Sequence, residues 1–327
     1  MNDTSYISAF LVRNHQPPMM KNLAEDRSKW LSKFADKGRS MCRAGNADFV
    51  VLEGSTMQAF AAQDESDFVA MYAGMFWMLS RLAARVAASG AFSIMEGASD
   101  GIWTPDVSGS FQAPRELLEE GTAFDWELES AGWRDAPERV SLFYFTLDVL
   151  FKFVVFHELG HLHNDHGRRR TAAANQSVTN PIVAIDRRGP PLVDRSEAIP
   201  SQAREIIADC TGLEMTLRTF ANEWDINEDD DLTLVFREKL LLDKTSLVSF
   251  VLTIVNLYFR LSDRSDWQET PLDRLSHPPA PFRMKALIAY VWDCLPLGID
   301  RTIAQNAVHK AREDGDAIKV SADGRWR

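Results

Sequence analysis

Apolar residues recur along most of the chain at the three-and-four spacing of amphipathic helices, while strict alternation is scarce. The clearest alternating run, "ADFVVLEG" (47–54), is bounded by Asn46 and Gly54 and predicts a strand. The class expected is therefore mainly α, strictly α+β with a small sheet. A Met- and aromatic-rich stretch predicts a helix from about 65 to 88, with Met71, Met75, Phe76, Trp77 and Met78 filling the core. Pro137 and Glu138 suit a helix first turn, and the apolar run after them predicts about 28 helical residues before Gly167. Helicity resumes after Pro200 with "SQAREIIADCTGLEMTLRTF", and again from about Leu232 to Leu261.

Polar stretches divide these elements. A Gly/Pro/Ser-rich connector runs from Gly97 to Pro114, and residues 167–199 read as a long loop, either a functional lid or simply a mobile insertion. The expected organisation is a mostly helical N-terminal region, 1–135, packed on a core domain, 136–309, followed by a loosely held polar tail, 310–327.

Composition narrows the choices. A formal charge of -11 argues against nucleic-acid and anionic-membrane partners. Cys42, Cys210 and Cys294 are odd in number, far apart and without C-x-x-C spacing, which fits a reducing cytoplasm. The N-terminal residues lack the pattern of a signal peptide. The apolar segments 68–80, 141–156 and 246–259 fall short of the roughly 20 residues a span needs, so core helices are expected and no membrane partner.

Two motif matches fail on context. "GASDG" (97–101) has the spacing of a nucleophile elbow, but "IWTPDVSG" follows it where a helix is required. "DINEDDDLTLVF" (225–236) resembles a calcium loop but places Asp230 and Phe236 where glycine and glutamate are needed.

The stretch "VVFHELGHLHNDHG" (154–167) is different. His157 and His161 are four apart, so on a helix they share one face and can bind one tetrahedral ion. Glu158 is rotated by about 100°, which keeps its carboxylate out of the ligand set yet within reach of a water held by the metal. This is H-E-x-x-H, the zinc metallopeptidase signature. His163 points away from that face, and His166 misses by one the position of a third histidine ligand in metzincins. A catalytic site needs three protein ligands, and "REIIADCTG" (204–212) offers Glu205 and Asp209 on one helical face. Small residues Ala208 and Gly212 permit close helix approach there, with Ile206, Ile207, Cys210 and Leu213 expected to face the core. Glu205 is taken as the third ligand, and Asp209 as acceptor for a ligand histidine's other N–H.

H-E-x-x-H followed by E-x-x-A-D on a later helix is similar to the pattern of gluzincin metallopeptidases, including the cytoplasmic catalytic parts of CAAX-processing and heat-shock peptidases. Those families carry a later His-Pro...Arg element, which "SHPPAPFR" (276–283) resembles through His277, Pro278 and Arg283. The chain departs from them in its long region before the motif. That layout, and the segment "FVAMYAGMFWMLSRLAARV", resemble the phage-exclusion Lit-type peptidases. The resemblance implies a zincin-like core and one catalytic Zn2+ held by His157, His161 and Glu205. It implies Glu158 as general base and His277 or Arg283 as oxyanion stabiliser. The function expected is a cytoplasmic zinc endopeptidase acting on a protein or peptide substrate, with phage defence as the role that the Lit-type resemblance implies. The alternatives are a non-catalytic zinc-containing sensor and a membrane-associated gluzincin peptidase. Arg168, Arg169, Arg170, Arg187 and Arg188 are expected to be solvated.

Overall fold

A computed structural model describes residues 5–21, 30–89, 123–130, 132–166, 195–223, 244–262 and 271–321. The elbow-like and calcium-loop-like segments, the 97–114 connector and the arginines between 168 and 188 lie outside these residues. The elements are α1 (Ser5–Arg13), α2 (Trp30–Ala44), β1 (Asp48–Leu52), β2 (Ala59–Gln63), β3 (Asp67–Tyr72), α3 (Ala73–Ser89) and a short α4 (Trp126–Glu129). They continue with α5 (Pro137–His163), α6 (Arg195–Glu223), α7 (Lys244–Ser262), α8 (Ala280–Cys294) and α9 (Arg301–Ser321). The chain is mainly helical with one small mixed sheet.

Helix α5 is the axis of the fold, with 22 of its 27 residues buried. It is apolar on every side because other elements cover it on every side. Phe151 packs edge-on against Phe34 of α2 and Phe49 of β1, while Phe145 meets Phe220 of α6 and Phe250 of α7. Residues from both sides of position 135 therefore share one core. Asp148, buried within it, lies 3.0 Å from fully buried Lys152 and 2.6 Å from Lys37 of α2. Arg139 donates to the last carbonyls of α3, Ala87 and Ala88. Helices α5 and α7 have the length and composition to cross a membrane, but 89% and 67% of their most apolar windows are buried within the fold.

The sheet has the order β1-β3-β2, with β1 parallel and β2 antiparallel to β3. Strand β2 is one of its two outer strands among the described residues, and it packs against α5. Ile7, Phe10 and Leu11 of α1 cover the far face through Val50, Phe60 and Phe68, whereas Phe49, Val51 and Val69 face the helices.

Several boundaries differ from expectation. The stretch expected to be helical from 65 is strand until Tyr72, because Phe68 and Val69 are buried on opposite faces of a sheet covered on both sides. The segment likened to a Lit-type helix thus begins as a strand. Helix α6 begins at Arg195, before Pro200; buried Ala198 and the Glu197–Arg204 pair hold its extra first turn, although Pro200 donates no backbone hydrogen bond. Helix α9 runs through the supposed tail to Ser321, anchored by Ala304, Ala307 and Ala311.

Candidate metal centre

The C-terminal third of α5 and the first half of α6 lie side by side at a pair of glycines. A Cβ on Gly160 would stand 3.1 Å from Ala208 Cα, and one on Gly212 would stand 3.1 Å from Phe153 O and 3.2 Å from His157 N. Only hydrogen at both positions lets the backbones approach so closely. Leu213 faces the core as expected and Cys210, half-buried, packs against it, but Ile207 is exposed and Ile206 is only half-buried. The helix is turned so that its carboxylates, instead of its isoleucines, face α5.

Glu205 and Asp209 are consequently buried, at 5% and 0% exposure. His157 Nε2 lies 3.2 Å from His161 Nε2, and each nitrogen lies 3.5 Å from a Glu205 oxygen. A tetrahedral ion with bonds of about 2.0–2.2 Å separates its donors by about 3.3–3.6 Å, so the two nitrogens and the Glu205 carboxylate, which turns Oε2 to His157 and Oε1 to His161, have the spacing of a ligand group. These three residues form a buried group that could hold a metal ion. Asp209 stands behind them, its Oδ1 2.9 Å from His157 Nδ1.

Glu158, also buried, does not join this group. The backbone N–H of Ala61 in β2 donates to its carboxylate, while Glu158 Oε2 is buried without a hydrogen-bond partner among the described residues. A buried acceptor left unsatisfied is costly, and this one belongs to a carboxylate that feels the charge of both His157 and Glu205.

His277 approaches from the segment before α8, its Nε2 3.6 Å from Glu205 Oε1 and its Nδ1 2.8 Å from Ser276 Oγ. Its side chain remains 26% exposed. Arg283, one turn into α8, donates from Nε to Asp209 Oδ2 at 2.7 Å and from its terminal nitrogen to Oδ1, with its guanidinium over the Phe259 ring. His163 is exposed, as expected. His166 is not in the ligand group, but it is not solvated either: it is 4% exposed, and its Nδ1 lies 2.8 Å from His161 Nδ1.

Burial disfavours charge throughout the site, and neighbours decide which groups carry it. Burial pushes Glu158 up to about 7, reinforced by Glu205 and opposed by His157. Glu205 is held well below the usual carboxylate range because His277, His161 and His157 outweigh the same burial. In Asp209, burial is outweighed by Arg283 and His157, so its carboxyl is also depressed. Burial lowers His161 to about 3, whereas hydrogen bonds to Asp209 and Glu205 overcome burial at His157 and raise it to about 10. Burial also raises the Cys210 thiol to about 12, which leaves it inert as a nucleophile.

Compared with models of protein families, with curated proteins and with solved structures, the chain matches none.

The groups absent from the sequence reading are Ala61, Gln63 and the partnership of His166. Ala61 and Gln63 lie on a strand whose short, alanine-rich run carries little pattern. Asp165 was the available sign for His166, since Asp tolerates the left-handed turn that brings a following side chain back to the helix.

Proposed function

We propose that the chain is a zinc-dependent endopeptidase of gluzincin type that hydrolyses a peptide bond of an intracellular protein. The spacing of 3.2–3.5 Å among the donor atoms of His157, His161 and Glu205 carries the reading. Two imidazoles and one carboxylate suit zinc, and this donor set is one of those that leave a fourth position for water or substrate. Zinc, when bound, supplies Lewis acidity that lowers the pKa of a water towards about 7 and polarises a carbonyl.

The chain's own groups supply the rest. Glu158, poised near neutrality, takes the proton of the attacking water at Oε2 and returns it to the leaving amine. His277, partly exposed beside Glu205, is positioned to donate to the developing oxyanion. Arg283 is committed to Asp209 through two hydrogen bonds, so its role is to hold Asp209 against His157 instead of touching substrate. Strand β2 favours an extended peptide as substrate. Tyr72 N–H donates to Gln58 O, so even-numbered backbone groups of β2 face β3 and those of Ala59 and Ala61 face outward, towards the side where Glu158 lies. The Ala61 N–H is already given to Glu158, so a peptide pairing with that edge would use Ala59 and the Ala61 carbonyl, next to the general base.

The test is cleavage of cellular proteins by wild type and by Glu158→Gln. The reading expects fragments from wild type alone, with zinc retained in both. A non-catalytic zinc sensor would give the same proteome for both, and a membrane-associated peptidase would sediment with membranes. A role in phage defence expects the fragments to come from a host or phage protein during infection.

A further inference from the structure

We propose that His166 is a positioning residue of the metal centre, whose Nδ1 accepts the hydrogen bond that fixes His161 with its Nε2 free for the metal. The assignment rests on the reading of His161 as a ligand. If Nε2 of His161 binds metal, the imidazole is neutral and its proton sits on Nδ1. That N–H needs a buried acceptor, and the atom in place is His166 Nδ1 at 2.8 Å. His166 is therefore neutral with its own proton on Nε2. The separation also excludes a second ion shared by the two rings, because donors on one tetrahedral ion stand about 3.3 Å apart at bond lengths of about 2.0–2.1 Å.

The backbone is built to present this acceptor. Helix α5 ends at His163, capped by Asn164, whose N–H and side-chain amide both donate to Gly160 O. Asp165 then takes φ 52°, the left-handed region, which reverses the chain and returns His166 beneath His161, rings 5.0 Å apart. Gln63 at the end of β2 donates to Leu162 O at 3.3 Å and to Asp165 Oδ1 at 3.2 Å, tying this turn to the edge strand. The two ligand histidines are thus held differently, His157 by a carboxylate and His161 by a neutral imidazole.

The test is zinc affinity of the full chain, measured by competition with a chromophoric chelator, together with the visible spectrum of the cobalt-substituted protein. His166→Leu is expected to weaken zinc about 10–100-fold and alter the cobalt spectrum. His166→Asn, whose side-chain carbonyl falls near the Nδ1 position, is expected to restore both. Wild-type affinity in His166→Leu overturns the assignment, as does an Asn variant no better than Leu. Should His166→Leu not fold, imidazole nitrogen NMR of zinc-loaded wild type decides: a proton on His161 Nδ1 and none on His166 Nδ1 is expected, and the reverse overturns it. Absence of zinc uptake by wild type would remove the metal reading and this assignment with it, whereas unchanged affinity in His166→Leu removes the assignment alone.

Discussion

Arg283 and Asp209 form a two-pronged pair inside the protein, and Asp209 Oδ1, which accepts one of the two prongs, also lies 2.9 Å from His157 Nδ1. A carboxylate this buried is tolerated only because a guanidinium accompanies it. Arg283→Ala strands that charge and is expected to destabilise the protein by about 3–5 kcal/mol. Asp209→Ala is expected to weaken zinc about 10–100-fold without abolishing binding, unlike Glu205→Ala. Because the two residues act as a unit, the double variant should cost less than the sum of the singles, as read by denaturant unfolding and zinc titration. Additive losses would contradict the coupling.

The close approach of α5 and α6 makes a second prediction. Gly212→Ala places a methyl 3.2 Å from His157 N, and Gly160→Ala places one 3.1 Å from Ala208 Cα. Each is expected to cost about 1–3 kcal/mol by overpacking. Each also moves Glu205 away from the histidines, so zinc affinity should fall while circular dichroism stays helical. Alanine at either position with unchanged affinity would show that the helices need not touch there.

Asp148 gives a pH dependence remote from the metal. Burial pushes its carboxyl up, but Lys152 and Lys37 together bring it below its ordinary value. A depressed folded value means stabilisation that is present above the unfolded value, about 3.9, and lost as pH falls through the folded one. Asp148→Asn should be less stable than wild type at neutral pH, with the gap closing below about pH 4. Thermal unfolding from pH 3 to 8 measures it, and zinc stoichiometry should not change.

Glu158 has the opposite sign. Its folded value of about 7 is raised from 4.5, so the metal-free fold favours the neutral acid and loses stability as pH rises between the two. Metal-free Glu158→Gln is therefore expected to unfold at higher temperature than wild type above pH 7, with no advantage below about pH 4.5. Equal melting of the two at pH 8 would show that the carboxylate is not strained by burial.

The parts of the site legible in the sequence were those carried by helical spacing. His157, Glu158 and His161 follow from i, i+1 and i+4 on one helix, and Glu205 with Asp209 from i and i+4 on another. Their meeting was signalled by Ala208 and Gly212, small residues beside the acidic pair. Strands β2 and β3 were not legible, because a sheet covered on both faces loses its alternation and "DFVAMY" reads like the helix that follows it. The partnership of His166 depends on one left-handed residue, Asp165, and backbone torsions of single residues leave little trace in a hydrophobic pattern. The commitment of Arg283 to Asp209 joins residues 74 apart in sequence, which no local period encodes.

Zinc content tests the metal centre most directly. Elemental analysis of purified wild type and Glu205→Ala, folded and at equal concentration, should find one zinc per chain in the first and little in the second. Wild type without stoichiometric metal, or Glu205→Ala with as much zinc as wild type, would contradict a centre made of His157, His161 and Glu205.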